Sequence, residues 1–182
     1  GLIKNYKKMI SMGLKKEGNI ILVIGKTEGH LEQTIFAREI LSEKKGPPPE
    51  INLFNEKNNG LTISKLIKDN LIESCHDVSL GGILIAVSKM CIKSKKGIKI
   101  NNLKNLINKF EYFFSEDQGR YLVEINKDNL KKVEKVFIDN SVHFDELGVV
   151  NNDKFLFSDE INLSIEDLIK AYKNWLKEYM VN

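Results

Sequence analysis

Five apolar residues in a row, Ile20 to Ile24, are closed by Gly25. A run with no polar alternation marks a strand buried on both faces. After a turn at Gly29, Leu31, Ile35, Phe36 and Ile40 recur at helical spacing, and Gly46-Pro47-Pro48-Pro49 ends that pattern. Consecutive prolines lack amide donors and hold the backbone extended, so this stretch reads as a rigid connector. From Asn52 to Leu71 the pattern predicts a helix, with Leu53, Gly60, Leu61, Ser64, Ile67 and Leu71 on one face. Asn59-Gly60 is a hairpin signal, but its flanks do not alternate, so the helix is kept.

Residues 72–77 read as a short strand ending in Cys75-His76-Asp77, and Gly81-Gly82 opens an apolar helix from Ile83 to Ile92. Further on, the spacing predicts a strand at Gly97–Ile100, a helix at Asn102–Phe110, a loop at 113–119 and a strand at Arg120–Ile125. Lys127–Asp139 reads as an amphipathic helix with Leu130, Val133 and Phe137 inward. Two strands, Val142–Val150 and Lys154–Phe157, are joined by an Asn151-Asn152-Asp153 turn. A last helix begins at Ser164, where Asp167 forms a near capping box, and carries Leu168, Tyr172, Trp175 and Tyr179 as a stripe for core or interdomain packing. Strands and helices intermix, which predicts an α+β fold: an α/β sandwich whose mixed, largely antiparallel sheet is flanked by helices. The 182 residues suit one domain, with 1–18 as an interdomain lead-in.

Composition narrows the function classes. The net charge is only +3, and Arg38 and Arg120 are the only arginines. A nucleic-acid interface needs clustered arginine and a larger positive surplus, so no nucleic-acid partner is expected. No apolar run approaches the roughly 20 residues that span a bilayer, so no membrane partner is expected either. Cys75 and Cys91 lie outside any metal-ligand spacing and fit a reducing, cytoplasmic setting. The chain opens on Gly1 without a charged and apolar leader, which reads as a soluble piece of a longer protein. Phosphate-cradling and nucleophile-elbow motifs are missing from the sequence, so no self-sufficient catalysis is expected.

Two segments could carry chemistry. In Cys75-His76-Asp77-Val78-Ser79-Leu80-Gly81-Gly82, a strand hands over to a helix. Two glycines and free helix-start amides suit a phosphate or carboxylate, with His76 and Asp77 orienting it. The commoner use of such residues is that Asp77 or Ser79 caps the helix. Cys75 and His76 point to opposite faces of a strand, so a thiolate–imidazole pair is not expected. The second segment, Phe114-Ser115-Glu116-Asp117-Gln118-Gly119-Arg120-Tyr121, sets two carboxylates, an amide and an arginine fork together. It is either a ligand clamp or a polar loop in which Arg120 pairs with Glu116 or Asp117. His143 reads as a partly buried structural residue and His30 as a solvated turn residue.

Taken in order, Met12–Ile20, Gly46-Pro47-Pro48-Pro49, Cys75–Gly82 and Phe114–Tyr121 resemble the C-terminal domain shared by aminoimidazole ribonucleotide synthetase and its relatives. The triple proline and the Glu-Asp-Gln-Gly-Arg-Tyr run resemble the phosphoribosylformylglycinamidine synthase family within it. The resemblance implies the C-terminal-type domain of the second of two similar halves. It implies an enzyme that turns formylglycinamide ribonucleotide into its amidine with ATP, magnesium and ammonia from a glutaminase partner. Upstream synthetase domains would hold the catalytic and metal groups, leaving this segment structural or auxiliary. His76, Asp77, Ser79, Gly81, Gly82, Glu116, Gln118 and Arg120 become the nucleotide- or substrate-binding candidates. Leu80 departs from the acidic or polar residue that such proteins often carry before Gly-Gly. The alternatives are another member, such as aminoimidazole ribonucleotide or selenophosphate synthetase, or a non-enzymatic binding or assembly module.

Overall fold

The computed structural model describes residues 5–101, 108–158 and 160–181. Seven strands form one sheet: β1 (Ile20–Ile24), β2 (Ser74–Val78), β3 (Gly97–Ile100), β4 (Arg120–Ile125), β5 (Phe144–Asn151), β6 (Lys154–Phe157) and β7 (Ile161–Ser164). Their spatial order is β2-β4-β1-β5-β3-β6-β7, antiparallel throughout except for the parallel β3–β6 pair. Among the described residues six α-helices pack with it: α1 (Ile35–Glu39), α2 (Leu53–Lys68), α3 (Gly82–Ser94), α4 (Lys109–Phe114), α5 (Leu130–Asp139) and α6 (Ile165–Val181).

The apolar run of β1 does what its pattern requires. Ile21 and Val23 join a core with Ile83, Val87 and Met90 of α3, Phe113 of α4 and Ile165 of α6. Ile20, Leu22 and Ile24 join the opposite core, with Ile63 and Leu66 of α2 and Val133 and Phe137 of α5. Successive side chains of a strand alternate faces, so one strand feeds both layers of a helix–sheet–helix sandwich. The mixed, largely antiparallel sheet expected from the sequence is the one found.

Several local expectations are corrected. The buried face of α2 is Asn59, Thr62, Ile63 and Leu66, while Leu53 and Leu61 are exposed. Positions 59, 62, 63 and 66 form one helical stripe; Asn59 is admitted because its Nδ2 donates to the Gly119 carbonyl at 3.0 Å. Of the helix expected at 102–110, residues 102–107 lie outside the described residues. α4 starts at Lys109, where the Asn108 side chain accepts the Phe110 amide at 2.8 Å, and it runs on to Phe114.

β5 and β6 are consecutive but do not pair, because β3 lies between them. The turn joining them crosses the end of β3, and a Cβ at Gly97 would collide with the Lys154 carbonyl and the Asn151 side chain. Only glycine admits that crossing. The edge strand β7 was not anticipated.

The lead-in is tied to the sheet by one buried carboxylate. Glu124 of β4 is fully buried. It accepts the Lys15 amide at 2.8 and 3.0 Å, the Lys16 amide at 3.0 Å, Asn19 Nδ2 at 2.7 Å and Ser74 Oγ at 2.9 Å. A desolvated charge is tolerated when its lone pairs are this fully engaged. Ser11 also bridges Ser74 of β2.

Cys91 is buried and Cys75 half-buried. Burial pushes both thiols up to about 12, with Asp77 adding to the effect at Cys75. Thiol chemistry requires the thiolate, so neither side chain is poised as a nucleophile.

Glu124→Ala leaves its donors without an acceptor and is expected to cost about 3 kcal/mol, read as a lower urea midpoint at unchanged slope. Maleimide at neutral pH is expected to label Cys75 and Cys91 in the unfolded chain and to leave both largely unmodified in the folded one, as followed by mass spectrometry.

Candidate functional site

The two candidate segments meet through one carboxylate. Glu116 Oε1 accepts the amide of Gly81 at 2.8 Å and the amide of Ile35 at 2.9 Å. The start of α3 therefore holds an anion, and that anion is the protein's own side chain. Neither Asp77 nor Ser79 caps the helix: the position before it is Gly81, without a side-chain cap. Gly82, at φ +70°, lets the start of α3 press against the end of α4, where a Cβ would lie 2.6 Å from the Ser115 carbonyl oxygen. Gly81 and Gly82 thus serve packing and the seating of Glu116.

Asp117 repeats the arrangement. Its Oδ2 accepts the amides of Glu28 at 3.0 Å and Gly29 at 3.1 Å, and its Oδ1 that of His30 at 3.2 Å. Successive amides form a concave anion site, filled here by a side chain. Arg120 is 1% exposed. Its Nη2 donates to the Ser115 carbonyl at 2.7 Å, Nη1 to Thr27 Oγ1 at 3.0 Å and Nε to the Asp117 carbonyl at 3.2 Å. The Asp117 carboxylate lies 3.7 Å from Nη1. Of the two readings left open for this segment, the geometry matches the polar loop: the fork lies beside Asp117 and braces the inside of the loop.

His76 and Asp77 lie on the edge strand β2, with His76 Nδ1 3.3 Å from Asp77 Oδ1. Burial lowers the His76 pKa and so favours the neutral ring, against the opposing pull of Asp77. Cys75 packs towards the core that contains α2 and α5 and forms no pair with His76. Ser79 and Leu80 are exposed in the turn before α3.

A cavity of about 540 Å³ opens on the other side of the Asp117 loop. Of the eight candidates only Gln118 lines it. Side-chain amides of Asn52, Asn55 and Asn59 share the wall with His30 and His143. Its charged groups are one lysine, Lys26, and four carboxylates, Glu28, Glu50, Glu56 and Asp117. Lys26 is paired with Glu28 at 2.8 Å, and Asp117 is held by backbone amides. Glu50 and Glu56 thus face the space with no ion pair among the described residues. The wall offers hydrogen bonds and negative charge rather than a seat for a bare anion.

Sequence reasoning missed several of these positions. His30 is half-buried rather than solvated, and its Nε2 donates to the Pro47 carbonyl at 3.0 Å, which ties the proline connector to the cavity rim. His143 precedes β5, is largely exposed, and lies 3.3 Å from Asp145. Glu28 and Glu56 stood in no motif; no sequence signal places a helix and a distant turn on one wall.

Residues 16–158 match the family described as AIR synthase related protein, C-terminal domain. The phosphoribosylformylglycinamidine synthase subunit PurL of Pelagibacter ubique is 62% identical over all 182 residues, which span 25% of that protein. The same subunit of Bartonella bacilliformis is 36% identical over 182 residues, again 25% of its length. The chain thus spans about a quarter of the length of these curated relatives. Among solved structures, Thermotoga maritima PurL complexed with FGAR superposes with a TM-score of 0.71 at 17% identity, covering 90% of this chain and 30% of that one. E. coli HypE superposes with a TM-score of 0.59 at 16% identity over 85% of this chain and 51% of its own, a likeness of fold. The matched stretch takes in β1 through β6 together with both candidate segments, and the chain belongs to the AIR synthase related protein, C-terminal domain family.

Proposed function

We propose that the chain, taken as one domain with residues 1–18 as its lead-in, is the C-terminal domain of a synthase that converts formylglycinamide ribonucleotide to formylglycinamidine ribonucleotide in purine synthesis. That enzyme is an ATP-dependent carbon–nitrogen ligase of the cytoplasm. What carries the reading is the 62% identity, over all 182 residues, to a protein named as a subunit of this synthase. The other superfamily members are supported only by likeness of fold, as with HypE.

Within that synthase the domain's role is structural: it supplies a rigid polar wall and leaves the phosphoryl chemistry to other domains. ATP there would activate the substrate's amide oxygen for displacement by ammonia from a glutaminase partner, with magnesium neutralising the transferring group. The residues of this chain do not fit a nucleotide's phosphates. Glu116 and Asp117 already fill the anion-binding amides at Gly81 and at 28–30. Arg120 is turned inward, and Lys26 is paired. Among the described residues, no three His, Cys, Asp or Glu side chains converge as a metal site. Gln118 is the candidate best placed to reach a small molecule, by a hydrogen bond to an uncharged part of it.

Supplied with formylglycinamide ribonucleotide, ATP, magnesium and ammonia, the 182-residue chain is expected to form no amidine, and the full-length polypeptide containing it is expected to do so. Turnover by the short chain, or none by the long one, counts against the assignment. Calorimetry of the short chain with ADP and magnesium is expected to give no binding tighter than about 1 mM. Tighter binding abolished by Asp77→Asn would restore an auxiliary nucleotide site. Asp117→Ala is expected to lower stability by roughly 3 kcal/mol, because three amides lose their acceptor, while Gln118→Ala stays within about 0.5 kcal/mol; urea titration separates the two.

A further inference from the structure

Helix α6 is anchored at one end only. Ser164 Oγ accepts the Asp167 amide at 3.1 Å and donates to Asp167 Oδ2 at 2.6 Å, which caps the helix. Ile165 is buried, and Leu168 and Ile169 pack against the core beneath α3. From Lys170 to Met180, every described side chain is exposed. The helix has 17 residues, about 26 Å in length, and its packed residues all lie in the first two turns. The exposed part carries a coherent face: Tyr172, Trp175 and Tyr179 continue the stripe begun by the packed Leu168. They are 57%, 59% and 74% exposed, and Met180 beside them is 75% exposed. A short helix with an uncovered aromatic stripe gains little stability in water by itself.

Two comparisons bear on what covers it. The family match ends at residue 158, before α6 begins. The synthase relatives nevertheless align over all 182 residues, and this chain is a quarter of their length. The helix therefore goes with the long polypeptides rather than with the domain common to the family. We propose that the Tyr172–Trp175–Tyr179 face docks into an apolar groove on another domain of the same longer polypeptide.

The area favours this occupant over a second copy. Three partly covered aromatic rings and one methionine offer roughly 500 Å² of surface. Self-pairing would bury about twice that, short of the roughly 1,200 Å² at which stable association between separate chains begins. A tethered domain needs less, because the covalent link holds its partner at an effective concentration in about the millimolar range. Tyrosine and tryptophan suit the rim of such a groove, with apolar bodies turned in and polar atoms at the wet edge.

The proposal rests on the preceding reading only for the longer polypeptide, and its test does not use activity. Hydrogen exchange is measured on the full-length polypeptide and on the 182-residue chain. Amides of residues 172–181 are expected to exchange at least about tenfold more slowly in the long form. Equal rates overturn the proposal. Slow exchange in the short chain together with a dimer in sedimentation also overturns it, in favour of self-association. Trp175→Ser in the full-length protein is expected to return residues 172–181 to the fast rate while the amides of β1 stay protected; unchanged protection at 172–181 shows that the stripe is not the docking face.

Discussion

Backbone amides that point at one loop and must find acceptors organise this domain. The start of α3, the start of α1 and the turn at 28–30 all present donors to residues 115–120. Glu116 answers the first two and Asp117 the third. Helix starts and successive amides carry partial positive charge, so a carboxylate there contributes both hydrogen bonds and favourable electrostatics. Arg120, buried behind them, holds the Ser115 and Asp117 carbonyls in place. Two distant stretches of chain, residues 28–35 and the start of α3, are pinned to one loop, and the cavity wall inherits its shape from that pinning.

The sheet uses the same economy. Glu124 gathers the lead-in at 15–19 and the start of β2, much as Glu116 gathers two helix starts. Both acids sit where apolar residues could not, because the donors they serve would otherwise be buried unpaired. β1 has no such duty: its five apolar side chains divide between the two cores and hold the helical layers apart.

Much of this was legible from residue order. The apolar run of β1, the start of α3 at the glycine pair and the cap of α6 at Ser164 are local events, and local pattern finds them. What escaped depends on distant partners. The inward face of α2 runs through Asn59 and Thr62, which look like surface residues until the Gly119 carbonyl is placed beside Asn59. Insertion of β3 between β5 and β6 contradicts the hairpin that their short turn suggests; Gly97 was the clue, but it declares itself only once the turn crosses it. The two candidate segments were found as a pair, but not the space that lies beside them. Proximity was right, since Glu116 touches Gly81, whereas the open space lies elsewhere and is lined mostly by residues that stood in no motif.

That gap has a physical reason. A motif such as Glu116-Asp117-Gln118-Gly119-Arg120 stands out because each residue type is hard to replace where it sits. Ligand contact is one cause of that difficulty, and unpaired buried donors are another. Here the second suffices for Glu116 Oε1, for the Asp117 carboxylate and for the Arg120 guanidinium, each of which is engaged within the domain. Gln118 lines the cavity beside Asp117, without a countercharge to offer a phosphate. Electrostatics then separates the two uses of one motif. A site meant to hold an anion must keep its amides and its arginine unfilled until the ligand arrives, because the free energy of filling them is what binds the ligand. In this domain Glu116 and Asp117 already take up those amides, so among the described residues the acidic, amide-lined cavity and the uncovered face of α6 stay open to other molecules.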